Sequence, residues 1–278
     1  MKINQFYVDD VIKRAINEDI NYIDVSSALV IDEQQMSTAV LLSKADGILC
    51  GLDVALRVFT LLDEDFKSKI YKNDGDQLKK GDIIAELTGH TTALLGGERT
   101  ALNLLQHMSG IATATAKAVS LCAGSKACIA DTRKTLPGLR ALQKYAVMVG
   151  GGKNHRFNLS DAAMLKDNHI DAAGSITNAI TRLREKAGHM LKIEVETRNL
   201  DEVKEALQVG ADVIMLDNMS VADMEKAVQM ADGKAVFEAS GNITDETIAA
   251  VAKTGVDIIS IGALTHSVKA FDISMKIK

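Results

Sequence analysis

The stretch from Leu191 to Asp217, LKIEVETRNLDEVKEALQVGADVIMLD, decides the fold, because it sets in succession a short apolar run at 191–195, a helical candidate at 200–208 and a second apolar run at 212–216. Two apolar runs separated by one helix's length of chain form a βα unit that feeds a parallel strand. The pattern extends in both directions, with further short runs at 127–130, 163–165, 235–237 and 257–261 and helical candidates at 175–186, 221–230 and 245–253. Polar or small residues stand at the C-terminal end of each run: Asp131-Thr132-Arg133-Lys134, Lys166-Asp167-Asn168-His169, Glu196-Thr197, Asp217-Asn218, Ser240-Gly241 and Gly262. Such residues at the C-terminal ends of successive parallel strands are how a barrel of the TIM type builds an active site. An open Rossmann sheet is the competing layout. It is weakened because neither GxGxxG nor GxxxxGK[ST] occurs, and GGGKN at 150–154 ends in Asn where a phosphate loop needs Ser or Thr.

Upstream of this alternation the first hundred residues read as α+β, with helical stretches at 6–20 and 52–62 and strand-like runs at 38–43, 66–72 and 83–88. The segment NDGDQLKKGDIIAELTG (73–89) has the turn-and-strand rhythm of small carrier domains but no lysine in a carrier context, so it reads as structural. A long helical passage covers 92–122. The expected organisation is an N-terminal domain over 1–108, rejoined by the C-terminal tail 268–278, and a barrel domain over 109–267.

Composition narrows the class further. The chain has 278 residues, 47% of them hydrophobic, and a formal charge of −5. That is ample apolar content for a core, while an acidic balance with few aromatic residues argues against nucleic acid as a partner. No apolar run reaches the ~18 residues of a membrane span and the N-terminus lacks an apolar signal core, so a cytoplasmic location is expected. Cys50, Cys122 and Cys128 lack CxxC spacing and sit among aliphatic residues, which predicts buried free thiols.

Against this acidic background the segment 131–169 holds seven lysines and arginines (Arg133, Lys134, Arg140, Lys144, Lys153, Arg156, Lys166) and only three acids. Cations gathered beside His155, His169 and the glycine run at 150–152 suggest a pocket for a small polyanion, with a solvated basic face as the alternative. The last two runs end in EASGN (238–242) and IGALTH (261–266), whose small residues leave backbone N–H groups open to a phosphate. They could equally be tight βα turns. Glu196 and Asp217 end neighbouring runs, and two acids beside many bases suggest Mg²⁺ held through carboxylates and substrate phosphates, with helix capping as the bland reading.

Several blocks, in order along essentially the whole chain, resemble quinolinate phosphoribosyltransferase. They are ERTALN (98–103) running to SGIAT (109–113), DTRKTLPGLR (131–140), GGGKNHRFNLSD (150–161), LKDNH (165–169), EVE (194–196), LDNM (216–219), EASGNI (238–243) and SIGALTHS (260–267). The resemblance implies an N-terminal α/β domain joined to an incomplete, open α/β barrel, working as a homodimer with shared sites. It also implies a pentosyl transfer from phosphoribosyl pyrophosphate to quinolinate with loss of CO₂, giving nicotinate mononucleotide and pyrophosphate on the route to NAD. By position it places Arg133, His155, Arg156 and Lys166 around the substrate carboxylates, with Arg99 supplied by the partner chain. Lys134 falls between the two substrates, Glu196 and Asp217 near the ribose and its Mg²⁺–pyrophosphate, and Ser240, Gly241, Gly262 and His266 at the 5-phosphate. Two departures stand out: Asn242 where the family usually has a second glycine, and Leu136 where Thr is common. Asn tolerates positive φ better than other non-glycine residues, so the phosphate loop is expected to survive.

Three rival readings compete with this one. A paralogue acting on another aromatic acid tends to lose the acid before Thr-Arg-Lys and the Asn before His-Arg, and this chain keeps Asp131 and Asn154. A nicotinate-using transferase needs to match one carboxylate rather than two. A non-catalytic phosphometabolite-binding barrel has no need of both acids.

Overall fold

The computed structural model describes residues 3–231 and 233–278. The chain opens with α1 (Gln5–Asp19), α2 (Val25–Val30), β1 (Met36–Ser43), β2 (Gly47–Ile48), α3 (Leu52–Leu62), β3 (Lys67–Ile70), β4 (Gln77–Leu78), β5 (Ile83–His90) and α4 (Thr91–Leu121). It continues through β6 (Cys128–Ala130), α5 (Arg140–Val149), β7 (Ala163–Leu165), α6 (Asp167–Ala173), α7 (Ile176–Lys186), β8 (Ile193–Thr197) and α8 (Leu200–Gln208). It ends with β9 (Val213–Asp217), α9 (Val221–Ala231), β10 (Val236–Ser240), α10 (Asp245–Lys253), β11 (Ile258–Ser260), α11 (Ala263–His266) and β12 (Ile273–Ile277).

Two units result. The first comprises 1–116, 135–151 and 264–278, the second 117–134 and 152–263. The sequence-based boundary at 108/109 and the break between the units at 116/117 both lie inside α4. In the first unit a four-stranded antiparallel sheet runs β12-β1-β5-β3, and the C-terminal strand pairs with β1 from Ala39↔Ile277 to Ser43↔Ile273. Strand β1 alternates, burying Ala39, Leu41 and Ser43, which is the period-two signature of a half-buried strand. Helix α3 begins at Gly51, and the Asp74 carboxylate accepts from the N–H groups of Gly51 (2.9 Å) and Leu52 (3.0 Å). That cap satisfies two orphan donors of the first turn. The helix buries Phe59, stacked on Phe66 at 5.4 Å between ring centroids. The turns before β4 and β5 are closed by Asp76 and Asp82, which accept from the N–H groups of Asn73 and Lys79.

The second unit is built on a six-stranded parallel sheet, β6-β11-β10-β9-β8-β7. Among the described residues β6 and β7 remain unpaired with each other, so the barrel is open, and Lys153 adds one parallel bridge beside Ala130. Register decides which side chains share a face. Glu196 lies opposite Met215, Met215 opposite Glu238, and Asp217 opposite Ser240. With period-two alternation, Glu194, Glu196, Asp217, Glu238, Ser240 and Ser260 therefore point to one face of the sheet, and Val195, Ile214, Leu216, Phe237, Ala239 and Ile259 to the other. The second set is buried and apolar, as a helix-covered face requires. The first set is the inner face of the barrel.

Helices α5 and α6 were not anticipated from sequence. Helix α5 buries Gln143 and Lys144 along with Leu142, Ala146 and Val147, so polarity does not report its inward side. Its end, Gly150, is fixed by crowding, since a Cβ there would lie 2.5 Å from the carbonyl oxygen of Ala112. The glycine run is therefore at least partly a packing feature. Cys50 and Cys122 are buried free thiols as expected, and burial pushes both thiols up. Cys128 corrects that expectation: it is exposed, being the outermost residue of the short strand β6.

Candidate active site

The C-terminal edge of the parallel sheet carries most of the residues singled out by sequence. Asp131, fully buried just after β6, accepts from the backbone N–H of His155 and from the Asn154 side chain, both at 2.8 Å. Together with the Lys153 N–H, which donates to the Ile129 carbonyl at 2.8 Å, this straps the 153–155 segment along β6. Arg156 follows from that strap. Its Nη1 donates to the Ala162 carbonyl at 2.9 Å, and its guanidinium is held below the usual arginine range by burial first and by the positive charge of Arg133 second. Two guanidiniums that feel each other's charge are a site that an anion relieves.

On the next strands, Lys166 Nζ lies 3.1 Å from Glu196 Oε2, and Asp217 ends β9 beside Ser240, the end of β10. Gly241 follows with φ +93, and a Cβ there would meet Asn218 Oδ1 at 2.3 Å, so only glycine fits. Asn242 adopts φ +49, a conformation that Asn tolerates better than most residues with a Cβ. Gly262 stands just beyond β11, after Ile261 N–H donates to the Ala130 carbonyl at 2.9 Å. Lys134 is exposed, its backbone N–H bonded to Thr132 Oγ1 at 3.0 Å. The second unit holds Arg133, Lys134, His155, Arg156, Lys166, Glu196, Asp217, Ser240, Gly241 and Gly262. Arg99, exposed on α4, and His266, exposed on α11, belong to the first unit.

Sequence reading missed two residues. Glu194 and Glu238 are 4% and 1% exposed, and both face His155, whose Nε2 lies 3.1 Å from Glu194 Oε2 and 3.5 Å from Glu238 Oε2. His155 Nδ1 accepts the Arg156 backbone N–H at 2.7 Å, which places the ring proton on Nε2, facing the carboxylates. The signal was available. Glu194 and Glu196 are two apart in one strand, as are Glu238 and Ser240, so each pair shares the inward face.

Glu238 Oε1 has no hydrogen-bond partner among the described residues. Burial and, second, the charge of Glu194 raise its carboxyl from 4.5 to about 7. Between those values the folded protein keeps a proton that the unfolded chain has released, so stability falls as pH rises through this window. One such proton sets a slope of at most ~1.4 kcal/mol per pH unit. Glu238→Gln is expected to remove that slope. Urea unfolding of both proteins at several values between pH 4.5 and 7 checks this, and parallel stability profiles would show that Glu238 is ionised throughout.

Fold and site together define an α/β-barrel enzyme. Residues 24–109 match the N-terminal domain, and residues 111–276 the C-terminal domain, of quinolinate phosphoribosyl transferase. The chain is 46% identical over 275 residues to the probable nicotinate-nucleotide pyrophosphorylase [carboxylating] of Bacillus subtilis, covering 99% of this chain and 95% of that protein. It is 43% identical to the corresponding enzyme of Mycobacterium leprae, covering 96% and 95%. The crystal structure of NadC from Streptococcus pyogenes superposes with a TM-score of 0.97 at 44% identity, over 100% of this chain and 99% of that one. The Francisella tularensis nicotinate-nucleotide pyrophosphorylase structure gives 0.95 at 41%, over 100% and 98%. The chain belongs to the quinolinate phosphoribosyltransferase family.

Proposed function

We infer that the protein transfers the phosphoribosyl group of phosphoribosyl pyrophosphate to the ring nitrogen of quinolinate and releases CO₂, giving nicotinate mononucleotide and pyrophosphate for NAD synthesis. The observation that carries this reading is the mutual repulsion of Arg133 and Arg156 in the unit whose strands β8 and β9 carry Glu196 and Asp217 at their C-terminal ends. A pyridine-2,3-dicarboxylate needs two carboxylates matched, and guanidinium forks do so bidentately. Departure of pyrophosphate from C1 of the ribose develops oxocarbenium character, which the Glu196 carboxylate stabilises while Lys134 and Lys166 neutralise anionic groups. The ribosylated ring nitrogen is then cationic and accepts the electron pair of the breaking C2–carboxylate bond. CO₂ leaves and C2 takes a proton. The protein's part in that second step is to position and desolvate.

The donor set suits Mg²⁺, which binds through one or two carboxylates plus substrate phosphates. Glu196 and Asp217 lie on neighbouring strands and on the same face, and each offers a hard oxygen. When bound, the ion supplies charge neutralisation to the leaving pyrophosphate. Activity is therefore expected to disappear in excess EDTA and return with Mg²⁺, and Asp217→Asn to raise the Mg²⁺ concentration needed for half-maximal rate. Full activity in EDTA would remove both acids from any metal role.

The same reading makes the enzyme a cytoplasmic homodimer in which Arg99 and the barrel residues of a site come from different chains. No described helix is long and apolar enough to cross a membrane. Release of CO₂ from carboxyl-labelled quinolinate tests the function: it should require phosphoribosyl pyrophosphate and match pyrophosphate one for one, and release without pyrophosphate would contradict it.

A further inference from the structure

Asn218 and Asn242 are the two non-glycine residues with positive φ among the described residues, at +54 and +49. Both stand beside Asp217. This backbone region is costly for a residue with a Cβ, and Asn tolerates it better than most. The side chains show what is gained. Asn242 Nδ2 donates to Asn218 Oδ1 at 3.0 Å, and Asn218 Nδ2 donates to Asp217 Oδ2 at 2.9 Å. The Asn218 backbone N–H donates to the Ser240 carbonyl at 2.9 Å, and its amide lies so close over Gly241 that no Cβ fits between them. The polarity of the chain is forced. A carboxylate accepts only, so Asn218 must turn its NH₂ toward Asp217, which leaves Asn218 Oδ1 facing Asn242 and requires a donor there. Among the described residues Asp217 Oδ1 receives no hydrogen bond.

We propose that Asn218 and Asn242 are positioning residues that clamp Asp217 by Oδ2 and so aim its Oδ1 at the magnesium–diphosphate group of the phosphoribosyl donor. The inference rests on the metal role given to Asp217 above. It assigns the Asn242 side chain a task that glycine could not perform. Groups that orient metal-binding carboxylates are worth about 10- to 100-fold in metal affinity.

The test measures Mn²⁺ affinity, by electron paramagnetic resonance, for the full-length enzyme with phosphoribosyl pyrophosphate and no quinolinate. Asn242→Gly suits the positive φ, so thermal stability should hold or rise, yet Mn²⁺ affinity should fall about fivefold for one lost neutral hydrogen bond. Asn242→Asp removes the donor and forces the Asn218 amide to turn its oxygen toward Asp217, and affinity should fall about 10- to 100-fold. In an Asp217→Asn background neither change should weaken Mn²⁺ binding further, whereas simple charge repulsion by an aspartate at 242 would persist there. Unchanged Mn²⁺ affinity in folded Asn242→Gly, with Asp217→Asn itself impaired, overturns the clamp. If Asp217→Asn binds Mn²⁺ like the wild type, the metal role of Asp217 fails first, and the clamp with it.

Discussion

Arg156→Ala is expected to lower kcat/KM for quinolinate by about 30- to 4000-fold, the equivalent of about 2–5 kcal/mol for removing one partner of a desolvated charge pair. The size follows from what the residue is held against. Arg156 is partly buried, anchored by Nη1 to the Ala162 carbonyl and by Nη2 to the Met164 sulfur, and pressed by the charge of Arg133, so its guanidinium is directed rather than freely solvated. Arg156→Lys should recover only part of the loss, because a point charge cannot reproduce a fork. Steady-state kinetics with quinolinate varied at saturating phosphoribosyl pyrophosphate measure this. Near wild-type kcat/KM in Arg156→Ala would take the residue out of the dicarboxylate site.

Arg99→Ala and Lys134→Ala should each be nearly inactive alone, since each removes a cation from an anion pocket. Arg99 is exposed on α4 in the first unit and Lys134 follows β6 in the second, and the proposed dimer draws these two cations from different chains. In co-expressed mixtures, a dimer with one chain of each kind then has one site with both lesions and one with neither. Random pairing in a two-fold dimer restores about a quarter of wild-type activity. Differently tagged chains allow the mixed dimers to be isolated and assayed. Proven heterodimers without recovered activity would mean that Arg99 acts within its own chain or away from the site.

Much of the barrel was legible because its strands carry two messages at once. In 191–217 apolar residues mark the buried face while Glu196 and Asp217 mark the end that opens on the site, and the helix between them was placed at its observed bounds, 200–208. Helix α5 was not legible because fully buried Gln143 and Lys144 make its inner side look polar. Helix α6 is seven residues long and starts inside the motif read as a strand end. Glu194 and Glu238 were present in quoted motifs, but their burial depends on strand partners 19 to 30 residues away and on His155, 39 and 83 residues away, which no local pattern encodes. Asn242 was legible as a departure and its positive φ was anticipated; its bond to Asn218 was not, since it joins residues 24 apart in sequence.

Product identity decides whether quinolinate is the phosphoribosyl acceptor. Purified enzyme is given differently labelled quinolinate and nicotinate in equal amounts, with phosphoribosyl pyrophosphate and Mg²⁺, and the nucleotide formed is analysed by mass spectrometry. The expected product is nicotinate mononucleotide carrying the quinolinate label, with one carboxyl lost. Nucleotide carrying the nicotinate label, or a quinolinate nucleotide that keeps both carboxyls, would contradict it.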